Sequence, residues 1–230
     1  MNTLFSHVCV VTMDDRMSVW TDAFVGVTDG KISYLSKHAP EEKPDQIIDA
    51  TGMVLMPGLI NCHTHLPMQL LRGYADDLKL QEWLNDYIFP REDRLDGRCV
   101  RAATTLAVAE CLKFGVTSVS DMYYFCDDIC DVIAKSGMKA NISRGTSMFL
   151  GDDFDFEKFP ACQELVALKE KWHNYDGGRI KIEASIHAEY TSTYQLWDAL
   201  SEFCINEGIG MQVHVSETKL EHDQCVERYG

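Results

Sequence analysis

From residue 53 onward the chain alternates short β-rich runs with helical patterns, and this alternation limits the folds open to it. Residues 54–60, 116–120, 139–143, 180–187 and 209–215 are short, β-rich and bounded by turn residues, which predicts strands. Leu80, Trp83, Leu84, Tyr87 and Ile88 recur at helical spacing and predict a helix that Pro90 stops. Further helices are predicted over 96–114, closed by Gly115, and over 127–136, closed by Gly137. Leu165, Leu168 and Trp172 mark another, as do Leu196, Leu200, Phe203 and Cys204 before Gly208, and a charged helix follows residue 217. Repeated β-then-α units favour a parallel sheet, either a (β/α)8 barrel or a doubly wound sheet. A doubly wound nucleotide fold wants a glycine-rich loop after its first strand, where this chain has His63-Thr64-His65-Leu66-Pro67.

The expected fold class is therefore α/β, the N-terminal part of a (β/α)8 barrel with about five strands, preceded by a small β subdomain. That subdomain is assigned to residues 1–52 and the partial barrel to 53–230. Residues 7–12, 23–28 and 31–36 are strand-like, Asp29-Gly30 is a hairpin turn signal, and residues 46–49 lead into the next strand.

Composition narrows the function classes. The 230 residues are 46% hydrophobic, enough for a real core, and carry a formal net charge of −15. That charge disfavours binding to nucleic acid or to an anionic membrane. No run approaches the roughly 18 apolar residues of a membrane span, and the start has no signal-peptide pattern, so a cytoplasmic protein is expected. The nine cysteines are odd in number and scattered, which suits buried thiols. Cys126 and Cys130 lie four apart on a predicted helix without the context of a zinc ribbon.

Barrel active sites sit at the C-terminal ends of the strands. His63 and His65 end the first barrel strand, His187 ends the fourth, and His214 and Glu217 lie at the end of the fifth. Side chains alternate along a strand, so His63 and His65 share a face. By the same rule Gln212, His214 and Ser216 face away from Met211, Val213 and Val215. Three imidazoles suit one divalent metal, with zinc first and iron as the other candidate, and leave room for a water that such a metal acidifies. Glu217 is placed to move a proton. His187 reads equally as a ligand, a substrate partner or a satisfied buried histidine.

At these residues the chain resembles a known family. Leu55 to Glu92, LMPGLINCHTHLPMQLLRGYADDLKLQEWLNDYIFPRE, is similar to the amidohydrolase superfamily, and within it to the 5'-methylthioadenosine/S-adenosylhomocysteine deaminase group. Ser185 to Thr191 and Val213 to Thr218 match that pattern too. The resemblance implies a metal-dependent hydrolase barrel that deaminates the adenine ring of adenosine thioethers at C6. It implies His63, His65 and His214 as metal ligands and Glu217 as the proton shuttle that also touches the substrate. Glu92, Arg144 and His187 are implied as substrate contacts. The expected partner is a small molecule, an adenosine thioether, with homo-oligomerisation left open.

Two hydrolase alternatives share these motifs: another ring deaminase, for instance of guanine, and a triazine chlorohydrolase-like enzyme. A non-catalytic scaffold built on part of the fold is the alternative of another class. The family's barrel has eight strands, a metal-ligand aspartate after the eighth, a histidine after the sixth and C-terminal strands that complete the β subdomain. None of these has a counterpart in residues 1–230, so the chain is expected to be the N-terminal part of a longer enzyme and inactive alone.

Overall fold

The computed structural model describes residues 1–149 and 154–230. The chain forms two compact units, Met1–Gly58 and Leu59–Gly230.

The first unit is a five-stranded sheet of β1 (Thr3–Val11), β2 (Val19–Thr28), β3 (Lys31–Ser36), β4 (Gln46–Asp49) and β5 (Val54–Leu55). β1, β2 and β3 pair antiparallel, while β4 and β5 run parallel to β1. Asp29 and Gly30 join β2 to β3 with φ of +50° and +74°, the positive pair that matches strand twist in a tight hairpin. Val8, Val10, Ala23, Val25 and Ala50 form its core.

One strand expected over 54–60 is two. Val54–Leu55 pairs with Cys9 and Val10 of β1, whereas Leu59 opens the sheet of the second unit. Met56-Pro57-Gly58 separates them, because proline cannot donate to a ladder. The units accordingly divide after Gly58, not after residue 52.

The second unit holds a parallel sheet of β6 (Leu59–Thr64), β7 (Val116–Tyr123), β8 (Lys139–Arg144), β9 (Ile180–Ala188) and β10 (Met211–His214). Its order is β10-β9-β8-β7-β6, so every strand lies beside its neighbour in sequence. A doubly wound sheet reverses its order at a switch point, and this one does not. It is a parallel half-barrel sheet.

The major helices are α1 (Gly97–Lys113), α2 (Cys126–Ser136), α3 (Pro160–Trp172), α4 (Tyr194–Glu207) and α5 (Lys219–Tyr229). Asp96 starts α1 by accepting a hydrogen bond from Cys99 N at 2.8 Å. Gly137 and Gly208 end α2 and α4 in the left-handed region. Ile129, Ile133, Leu165, Leu196 and Leu200 from the helices pack into one buried core with Ile142, Ile180, Ile182 and Ile186 from the strands. Cys126 and Cys130 belong to that core, and burial raises both thiol pKa values, so they remain thiols.

Pro90 does not stop the helix that begins at Leu80. A π-helical stretch, Trp83–Ile88, intervenes, and Phe89–Glu92 continues as a helical turn. The wider π-turn, with Phe89 N bonded to Leu84 O, leads Pro90 into the first turn of the next segment, where its missing N–H costs little. Among the described residues no helix is long and apolar enough to cross a membrane.

Candidate metal centre and active site

His63 lies within β6, and His65 follows its last residue just before the 3-10 turn Leu66–Leu71. His214 ends β10. Although β6 and β10 are the outer strands, sheet curvature brings their ends together. The ring centroids stand 5.4 Å apart for His63–His65, 4.9 Å for His63–His214 and 5.1 Å for His65–His214. One ring nitrogen from each lies within 4.8 Å of the other two.

The ring of His65 is fixed from behind. Its Nδ1 is 2.5 Å from the carbonyl oxygen of Met122 on β7. A carbonyl only accepts, so Nδ1 carries the proton and Nε2 offers its lone pair to the cluster. Burial, the largest cause, holds the pKa of His65 below its ordinary value, and the neighbouring histidines act in the same direction. His214 is held low chiefly by burial as well. Neutral imidazoles with converging lone pairs fit a borderline divalent metal.

His187, on β9, is a neighbour with its centroid 5.4 Å from that of His214. Its Nδ1 is 3.0 Å from Thr191 Oγ1, whose own proton goes to Ala188 O. Nδ1 of His187 is therefore the donor and Nε2 is left bare. Its pKa is lowered, first by burial. Glu217 stands in the loop after β10, and its Oε2 accepts a bond of 3.2 Å from Tyr190 OH. A small pocket is lined by His65, His187, His214, Glu217 and Glu92, with Trp83, Phe89 and Tyr123 among its apolar walls. Glu92 accepts a 2.6 Å bond from Tyr123 OH, and burial raises its pKa.

Arg144 sits apart from that pocket. It lines a neighbouring cavity of about 900 Å³, which shares the walls Phe89, Glu92 and Tyr124 with the histidine pocket. Its Nε donates to Glu164 at 2.7 Å, and its guanidinium lies 5.2 Å from the centroid of Tyr124.

Sequence reasoning missed Asp121, Tyr123, Tyr190 and Glu221. Asp121 is wholly buried on β7, accepts a 2.6 Å bond from Leu66 N and has no partner for Oδ2. Burial raises its pKa to about 7. Its strand reads Val-Thr-Ser-Val-Ser-Asp-Met-Tyr, and among those polar residues nothing singled Asp121 out. For Glu221 the signal was Thr218-x-x-Glu221, a capping-box pattern.

A curated relative named 5-methylthioadenosine/S-adenosylhomocysteine deaminase, from Thermoanaerobacter pseudethanolicus, is 32% identical over all of this chain and 53% of its own length. Another, named 5'-deoxyadenosine deaminase, from Methanosarcina acetivorans, is 36% identical over 99% of this chain and 52% of its own. The chain thus spans about half the length of the curated relatives it matches. A crystal structure of an adenosine deaminase from Xanthomonas campestris with bound zinc superposes with a TM-score of 0.88 at 29% identity, covering 100% of this chain and 52% of that one. The amidohydrolase family model matches residues 54–230, and the chain belongs to the amidohydrolase family.

Proposed function

We propose that the chain supplies the first half of the active site of a divalent-metal deaminase acting on the adenine ring of adenosine thioethers. The substrates would be of the 5'-methylthioadenosine and S-adenosylhomocysteine type, and the product ammonia. The observation that carries this reading is the convergence of His63, His65 and His214, the last two lining one pocket with Glu217. The names of the two curated relatives support the adenosine class.

In this reading the three histidines hold one metal ion, with zinc the first choice. When bound, such an ion supplies Lewis-acid activation of water near neutral pH. Glu217 takes the proton of the attacking water and delivers it to the departing amino nitrogen. Tyr190 keeps the Glu217 carboxylate turned into the site. His187 presents an acceptor, not a donor, to the substrate, because its Nδ1 proton is committed to Thr191. Glu92 keeps one oxygen free to accept from a sugar hydroxyl, the other being held by Tyr123. Arg144 would meet the substrate only at the far side of the shared wall, through the larger cavity. Nine free cysteines suit a reducing, cytoplasmic compartment.

The test is ammonia release by the complete gene product with zinc supplied, from 5'-methylthioadenosine, S-adenosylhomocysteine, 5'-deoxyadenosine, guanine and an aminotriazine. Turnover of the adenosines is expected. Turnover confined to guanine or the triazine would replace this reading.

A further inference from the structure

We infer that Glu221 is a positioning residue that clamps the backbone of Glu217 and so aims its carboxylate at the histidine cluster. The inference rests on the role proposed for Glu217.

β10 ends at His214, and the chain must return Glu217 to the same pocket within three residues. It does so through Ser216 at φ +52°, a left-handed conformation that a non-glycine residue adopts only when its surroundings hold it there. Glu221 provides the hold. Its Oε1 accepts from Ser216 N at 3.2 Å and its Oε2 from Glu217 N at 2.7 Å. The side chain is only 4% exposed, and among the described residues no lysine or arginine pairs with it. A carboxylate buried without a cation is costly unless its oxygens accept hydrogen bonds, and both of these do so from the one loop.

Ordinary helix capping does not account for this arrangement. Thr218 Oγ1 already caps α5 by accepting from Glu221 N at 3.1 Å. In a usual capping box the glutamate would reach back to the amide of the cap residue itself. Here it reaches past Thr218 to the two preceding residues. Glu217 is thus held at both ends, its amide by Glu221 and its carboxylate by Tyr190.

The experiment is Glu221→Gln in the complete, zinc-loaded gene product. A glutamine accepts one of the two N–H groups and turns its own NH2 toward the other, so the clamp loses a bond. Amide hydrogen exchange at Ser216 and Glu217 should rise by about tenfold or more, the effect of losing a bond of about 1.4 kcal/mol. Zinc content should not change. kcat should fall by about tenfold at constant KM, and the fall should vanish in a Glu217→Gln background, because the two residues act as one unit. Glu221→Asp, which keeps the charge but withdraws it by a methylene, should show the same exchange increase and serves if the glutamine variant does not fold. Unchanged exchange at both amides would overturn the clamp. An equal fractional loss of kcat with and without Glu217 would reduce Glu221 to a structural role and overturn the inference. Absence of ammonia release from the unaltered protein would overturn the functional reading and the positioning role together, while the exchange data would still judge the clamp alone.

Discussion

Asp121 is a buried group whose protonation ties stability to pH. It is fully buried, its Oδ2 lacks a partner, and its pKa rises from 3.8 to about 7 on folding. The folded state therefore holds a proton that the unfolded chain has released, and stability falls as pH rises through that window. Asp121→Asn removes the titration while keeping an acceptor for Leu66 N. In metal-free protein, the variant should gain on the unaltered chain by about 1.4 kcal/mol for each pKa unit crossed between pH 4 and 7. Calorimetric scans at pH 4, 5.5 and 8 would show the gap widening; a constant gap would show that Asp121 stays ionised. Two of the histidines shift in the opposite sense. Burial holds the pKa of His65 and of His214 below the ordinary value, so protons should compete with zinc at these two ligands only at lower pH, which zinc titrations at stepped pH would show. His214→Ala should weaken zinc binding by at least about 10–100-fold, the range already seen for outer-shell partners. Glu217→Gln should keep zinc but lose about 10²–10⁴ in kcat; unchanged turnover would place the proton shuttle elsewhere. The histidines were legible because alternation and strand-end placement follow from sequence alone. Asp121 was not, because its role depends on which strand lies beside β6, a fact of register, and Tyr123 was not, because its partner Glu92 lies on a separate element earlier in the chain.

At the scale of elements, the helices were read best. Glycine stops at Gly137 and Gly208 have a local cause, a left-handed residue that glycine tolerates. The errors came where neighbouring strands or turns decide. Val54–Leu55 looks like the start of the strand that follows it, yet its partner is β1, some 45 residues earlier by the register Cys9↔Val54. Pro90 is a stop signal in isolation, but the π-turn before it changes which N–H the helix needs. The end of α1 facing the chain's start offers a direct check on local encoding. Asp96 supplies a side-chain oxygen to Cys99 N, so Asp96→Ala should cost about 0.5–2 kcal/mol in urea unfolding, with an unchanged slope. A loss within a few tenths would show that packing of Val100, Ala103 and Ala107 fixes the helix without its cap.

For the molecule as a whole, the sheet of the second unit ends in β6 on one side and β10 on the other. Among the described residues each has a strand partner on one side only, and such an edge is a template for further pairing. Leu59, Ile60 and Val215 near those edges are 54%, 66% and 67% exposed. The two strands that carry the proposed metal ligands are therefore also the outer strands of the sheet. Produced as residues 1–230, the polypeptide should bind zinc through its three histidines but hold the ion and Glu217 too loosely for efficient chemistry, since positioning is worth several kcal/mol of barrier. Ammonia release from 5'-methylthioadenosine should stay near background, and light scattering should show association through the strand edges. Ile60→Lys should reduce that association, because a charge on an edge disfavours pairing. The two readouts separate two causes. Monomeric protein without turnover would trace the inactivity to the incomplete site, not to association. A soluble monomer turning over at full rate would show that five strands suffice to hold the site, and the half-barrel reading of this chain's chemistry would be wrong.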